Sequence, residues 1–581
     1  MSLAENRKNK TTGSKPSAQN GTFTGSGNGR FVRRLSYGMI AVYLLLLIPL
    51  FIISRYNFPS GDDFSMGLGT RLAYEETGSV LAVIQKVFTE TARYYQTWIG
   101  YFTSCLFTTV NPSTFGEEWY PMSAVITLGG LHIGVVAFLY VLMEKVMNMN
   151  RYVRRCMTVL ILFMMVQLMP EGGLRVEAFY WYSGAGNYTL TFALGLLYLS
   201  ALMMAGYSGS ARGRRGFLIL SCLLGFLTGG GNYLSALSYA IVSVCVMSAD
   251  LMMCSGKTKI PSIANKSCAD RDCVSSAAQR TKCAGVMKLN WQGSLCIPCV
   301  MTLAGLAVSC MAPGNQVRGS STEGYGAIKS ILLSLYYTLS YPLNQWMNWA
   351  VLIILAAAGI LFWMDCRMRK EHSEDAGICQ HRYPVLAALF AYGLASAVIT
   401  PALFAQGNIG AGRIQSTFWL HFVLILVLLE WYLIGAWYRT AAGRTEDIQP
   451  ADGVGTGKDR ATEQTEKTAF SDSREGQGRK ALIVLAGLFV VFSGLTVKGN
   501  SYFYTFSSAC EDLLNGTAAA YGEENQERLS ALREDDNQDV VLKRHEARPE
   551  LLYYMDISVE PEDWVNMKLC EYYHKNSVRG E

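Results

Sequence analysis

Two adjacent carboxylates, Asp62 and Asp63, stand in the stretch Ser60-Gly61-Asp62-Asp63-Phe64, a few residues beyond an apolar run from Leu35 to Ser54. Charge beside a bilayer carries a solvation cost, so an acidic pair at that place is a functional candidate by default. A carboxylate there can act as general base toward a hydroxyl. One of the two could instead cap the helix that begins near Phe64. A cap uses one carboxylate and leaves the other without a task.

Arginines recur at three later turns. Arg175 stands with Glu177, Arg318 follows Ala312-Pro313-Gly314-Asn315, and Arg413 closes a Gly-rich turn after Gln406. The arginine fork grips phosphate oxygens in a bidentate manner and stays charged when partly buried. Each alone could be a snorkelling interfacial side chain. All three, set against an acidic pair, suit sugar transfer from a lipid phosphate. A carboxylate takes the proton of the attacking hydroxyl, and guanidiniums stabilise the charge growing on the departing phosphate. A transition state of oxocarbenium character is also helped by a nearby carboxylate. Asp62 or Asp63 is therefore expected as base, with Arg175, Arg318 and Arg413 as phosphate holders. The segment Trp181-Tyr182-Ser183-Gly184-Ala185-Gly186-Asn187-Tyr188 offers flat faces and polar groups for a sugar ring, and Asn232 and Asn315 stand at turns that could add to it. Their plain alternatives are an aromatic belt and turn formation.

The surroundings these residues need are set by composition. Half of the 581 residues are hydrophobic, 16% are charged and 12% aromatic, which points to a multi-spanning membrane protein. Mean hydropathy is only +0.19 because polar segments, chiefly 1–30, 254–290, 439–479 and 499–581, dilute the apolar ones. The net charge of +5 carries no nucleic-acid message, since Lys and Arg cluster beside apolar runs, where they set topology. The fifteen cysteines form no disulfide framework. Cys222, Cys245 and Cys310 lie in apolar runs, and Cys268, Cys273 and Cys283 lack the paired spacing of a zinc site. Cys296 and Cys299 have that spacing but open an apolar run. No metal ligand set is assigned; a divalent cation is not required by the sequence, and any cofactor is left unknown.

In order, the chain reads as a disordered arm at 1–34, a transmembrane domain at 35–500 and a small domain at 501–581. Arg30, Arg33 and Arg34 before the first run place the N-terminus inside; about eleven transmembrane helices then leave the C-terminus outside. The first outer loop, 55–120, holds helices lying along the membrane surface between Val80 and Val110. Loops 254–290 and 439–479 face the cytoplasm, and Ile328 to Trp346 is expected at the interface. In the tail, Val540-Val541-Leu542 is a predicted strand and Trp564 to Tyr573 a predicted helix.

Gly61-Asp62-Asp63-Phe64, Trp98, Trp181 to Tyr188, Gly229-Gly230-Gly231-Asn232 and Ala312-Pro313-Gly314-Asn315 with Arg318 together resemble an uncharacterised family of bacterial multi-pass membrane proteins. That family is similar in layout to the GT-C-type glycosyltransferases, which use polyprenyl-phosphate sugars. The resemblance implies an all-α polytopic GT-C-like fold in a bacterial plasma membrane. It also implies a catalytic acid in the first outer loop, at Asp62 or Asp63. The expected partners are a polyprenyl-phosphate sugar donor, a glycan, lipid or protein acceptor, and membrane lipids, with no nucleic acid. A transporter or flippase of lipid-linked sugars, for which Glu430 is an intramembrane charge, and a non-catalytic envelope-assembly factor are the alternatives.

Overall fold

The computed structural model describes residues 27–254, 293–320, 323–371, 381–446, 457–534, 536 and 538–581. Most of the expected N-terminal arm, the loop with Cys268, Cys273 and Cys283, and part of the charged loop 439–479 lie outside them.

The chain is an all-α polytopic membrane protein. Among the described residues eight helices are long and apolar enough to cross a bilayer, and a shorter apolar one spans Cys296–Cys310. The first, α1 (Gly27–Ile53), carries the opening apolar run. After it come α2 (Asp62–Thr77) and α3 (Val80–Thr97), joined at Gly78, whose φ of 62° lets its N–H close on the Tyr74 carbonyl. Helix α3 is apolar on two sides. Val83, Val87 and Tyr94 are buried while Leu81, Ile84 and Phe88 are exposed. The short α4 (Phe102–Thr108) leads to α5 (Met122–Val141), and α6 (Arg151–Gln167) begins at Asn150, whose side chain accepts from the Tyr152 N–H.

The segment after Pro170 is folded inward. A π-helical turn at Val176–Tyr180 and α7 (Tyr182–Asn187) are buried almost throughout, because their side chains are mostly apolar and aromatic. Next are α8 (Thr189–Tyr207), α9 (Ala211–Gly229), α10 (Tyr233–Cys254) and α11 (Cys296–Cys310). The triglycine does more than turn. A Cβ on Gly229 would stand 2.1 Å from the Thr302 carbonyl oxygen, and one on Gly305 would stand 2.1 Å from that of Phe226, so α9 and α11 touch backbone to backbone.

After α12 (Gly314–Gly319), α13 (Ala327–Tyr341) covers most of the stretch expected at the interface. It runs antiparallel to α15 (Pro384–Gln406), which follows α14 (Trp349–Glu371): the Tyr325 N–H donates to the Leu403 carbonyl at 3.1 Å and the Tyr392 hydroxyl to the Leu335 carbonyl at 2.7 Å. Its buried stripe is Ser330, Ser334 and Thr338, small enough for close approach, with the last two hydroxyls donating to their own helix. Helices α16 (Gly412–Glu446) and α17 (Gly457–Gly499) complete the bundle.

The tail comprises α18 (Thr505–Leu514), α19 (Thr517–Arg533), β1 (Asp539–Leu542), α20 (Trp564–Tyr573) and β2 (Ser577–Gly580), with the two strands parallel. It shares a core with α2: Phe64 packs among Leu532, Val540, Leu542, Leu569, Tyr572 and Val578. Glu117 ties the two parts together, accepting from Arg71 at 2.6 Å, from the Tyr573 hydroxyl at 2.8 Å and from Arg533. The residue next to the acidic pair is thereby anchored in the tail.

Candidate functional site

The two aspartates have opposite surroundings. Asp63 is fully buried. Its Oδ1 accepts from the Ser183 amide at 2.9 Å and the Ser183 hydroxyl at 2.6 Å; its Oδ2 accepts from the Ser60 amide at 3.1 Å and from the Tyr120 hydroxyl. The Ser60 bond closes the turn that starts α2, since the Asp63 N–H also donates to the Ser60 carbonyl. Burial outweighs these donors and pushes the Asp63 carboxyl up to about 6. Asp63 thus braces the turn before α2 and bolts α2 to α7 and to Tyr120, which precedes α5. It is closed to a substrate.

Asp62 is half-buried, and among the described residues no side-chain hydrogen bond engages its carboxylate. Burial raises its pKa above the usual carboxylate value, while Arg413 and then Arg318 act in the opposite direction. Three residues from distant stretches of chain, a carboxylate and two guanidiniums, therefore lie within electrostatic reach of one another around one candidate cleft.

Each arginine is held from behind. Glu177 accepts from the Gly412 and Arg413 amides, both at 3.1 Å, and from Arg413 Nη1 at 3.0 Å. The same Nη1 donates to the Tyr554 hydroxyl at 3.1 Å, so a tail residue completes this wall. Trp181 is not the open platform that its type suggested. Its ring stacks on Tyr554 at 3.8 Å and 16°, its Nε1 donates to the Ser60 carbonyl at 2.9 Å, and the Arg413 guanidinium lies 5.6 Å from it. Across the cleft Arg318 donates to the Tyr101 hydroxyl at 3.1 Å and stands 5.6 Å from the Trp98 ring. The burial of Tyr101 pushes its phenol up to about 12, which keeps it neutral beside that guanidinium.

The asparagines brace the walls. Asn187 accepts from Asn232 at 3.2 Å, and Asn232 in turn receives the Leu234 amide at the start of α10. Asn315 accepts from the Gly100 amide and the Tyr233 hydroxyl, both at 3.0 Å, and donates to the Ser309 carbonyl at 2.8 Å. Both Asn232 and Asn315 are spent on holding turns.

Arg175 departs most from expectation. It is 1% exposed and donates to the main-chain carbonyls of Met169 at 2.8 Å, Tyr502 at 2.6 Å and Phe503 at 2.8 Å, with Glu550 at 3.6 Å. It fastens the tail to the bundle, and at that depth it is closed to a phosphate. Among the described residues no three His, Cys, Asp or Glu side chains gather as a metal would need. A cavity of about 60 Å³, room for a few waters, lies between the Ser60-Gly61 turn and the tail residues Tyr521, Arg528, His545 and Asp556.

Tyr101 and Tyr554 are the cleft residues that sequence reasoning passed over. Tyr101 follows Gly100 at the break between α3 and α4, and Tyr554 belongs to the Tyr553-Tyr554 pair of an otherwise charged tail. No protein-family profile, curated protein or solved structure matches the chain.

Proposed function

We propose that the chain is a membrane glycosyltransferase that moves a sugar from a polyprenyl-phosphate donor to a cell-envelope acceptor on the outer face of a bacterial plasma membrane. The observation that carries this reading is the Asp62 carboxyl set against Arg318 and Arg413 in one cleft. In the step envisaged, Asp62 takes the proton of the acceptor hydroxyl as its oxygen bonds to the anomeric carbon. The bond from that carbon to the phosphate oxygen breaks, its electron pair stays with the lipid phosphate, and the configuration inverts. Arg318 and Arg413 hold the leaving phosphate. Both are already fixed, by Tyr101 on one side and by Glu177 and Tyr554 on the other, so little reorganisation accompanies the charge transfer.

In this reading α6, α9 and α11 cross the bilayer together with the eight longer helices, which makes eleven passes in a GT-C-like layout with the N-terminus inside and the C-terminus outside. The cleft then opens at the outer leaflet, where a polyprenyl phosphate would present its headgroup.

Transport of a lipid-linked sugar is the competing reading, favoured by Glu430, whose Oε2 is buried in α16 without a hydrogen-bond partner. Proteoliposomes given a labelled polyprenyl-phosphate sugar and envelope acceptors separate the two. Label in a covalent acceptor product supports transfer. Movement of intact donor across the bilayer with no such product overturns it.

A further inference from the structure

A second basic site lies at the opposite end of α1 from the acidic pair, where α1 packs on α6. Here the guanidinium of Arg155 stands 5.3 Å from the Tyr37 ring and 5.7 Å from the Tyr152 ring. Arg151 lies 4.7 Å from the Tyr152 ring and donates from Nη2 to the Tyr152 hydroxyl at 2.7 Å. Arg33 and Arg151 are both within electrostatic reach of the Tyr37 hydroxyl. Nearby charge is unevenly matched. Arg154 is paired with Glu144 at 2.7 Å, whereas among the described residues no carboxylate forms an ion pair with Arg33, Arg151 or Arg155.

Two further features point to an anion. Nη1 of Arg155 is buried and has no hydrogen-bond partner, an arrangement that is costly unless something accepts from it. Tyr37, by contrast, is 52% exposed and leaves the approach to the guanidinium open on the outer side of the helix pair. The level is also defined. Arg33 immediately precedes the apolar run of α1, and Arg155 immediately precedes that of α6, so the group sits where acyl chains give way to headgroups.

We infer that Arg33, Arg151 and Arg155, with the hydroxyl of Tyr37, form a binding site for the phosphate of an anionic phospholipid. A phosphodiester there gives the Arg155 fork its missing acceptor and offsets the unpaired positive charge, while the acyl chains lie along the exposed apolar side of α1, where Leu44, Leu45 and Ile48 face outward. The site is independent of the sugar-transfer reading.

The test uses the full chain in nanodiscs of phosphatidylcholine with or without phosphatidylglycerol. Lipid retained after detergent extraction is measured by native mass spectrometry, and inorganic phosphate is added in a parallel arm. Phosphatidylglycerol should be retained selectively, and the R151Q/R155Q variant should lose that retention roughly 10- to 30-fold, the loss of two near-surface arginine contacts. Inorganic phosphate should not compete at millimolar concentration. Equal retention of both lipids by the wild-type chain, or undiminished selectivity in the variant, overturns the proposal, as does full competition by free phosphate. If the double Gln variant does not fold, R151K/R155K decides: it keeps the charge and loses the fork, so selectivity should fall several-fold, and wild-type selectivity would contradict the site.

Discussion

Ser183 donates both its amide and its hydroxyl to one oxygen of Asp63, joining the start of α2 to α7 across 120 residues of chain. Because that carboxylate is consumed in holding the two elements together, its neighbour is turned toward the cleft. Adjacent acids thus acquire separate duties, one architectural and one exposed to chemistry.

Substitution should separate those duties. Asp63→Ala leaves the donors of Ser60, Tyr120 and Ser183 without an acceptor, at about 1–3 kcal/mol for each one not rescued by water. Thermal unfolding in detergent should therefore fall markedly for Asp63→Ala and stay within a few degrees of wild type for Asp62→Asn.

The arginines should divide in the same way. Arg175→Gln strips three main-chain carbonyls of their partner and leaves Glu550 uncompensated, a loss of roughly 3–5 kcal/mol for a buried charged contact. Arg413→Gln should cost less stability, because Glu177 keeps the Gly412 and Arg413 amides, and should lower turnover by about 100-fold, within the range for removing one group that stabilises developing charge. Thermal melts and steady-state kinetics on the same two preparations check this pair.

Activity should depend on pH through Asp62. A base must be ionised, and burial raises its pKa above the ordinary 3.8, so kcat/KM should fall on acidification at a pH above the usual aspartate range. Arg413 opposes that rise. Residual activity in Arg413→Gln should accordingly show its acidic limb at higher pH than wild type, and a limb moved to lower pH would contradict the electrostatic link.

Docking of the tail should rest on Glu117, which is 2% exposed and engaged by Arg71, Arg533 and Tyr573. Glu117→Ala should speed tryptic cleavage within 501–581 by about tenfold or more, the effect of ~1.4 kcal/mol on a local opening equilibrium. Unchanged cleavage would mean that the contacts of Phe64, Arg175 and Tyr554 hold the tail without Glu117.

Charge beside a bilayer is conspicuous in a sequence, which is why the acidic pair, Arg318 and Arg413 could be found there. Which aspartate is tied down could not, since that depends on Tyr120 and Ser183, brought in from distant stretches of chain. Arg175 carries the same local signature as Arg413; what sets it apart is a pair of carbonyls from Tyr502 and Phe503, over three hundred residues away. Tyr554 gave no local signal because its role comes from stacking on Trp181. The contact of α13 with α15 was hidden for a related reason: Ser330, Ser334 and Thr338 give no sign in sequence of which helix their small side chains let approach.

The most direct measurement is the rate of sugar transfer from a labelled polyprenyl-phosphate donor by Asp62→Asn in proteoliposomes, normalised to folded protein and set beside wild type. Loss of a positioned base should reduce the rate by roughly 100- to 10,000-fold. Wild-type transfer by a folded Asp62→Asn protein would contradict the assignment of this cleft as the catalytic centre.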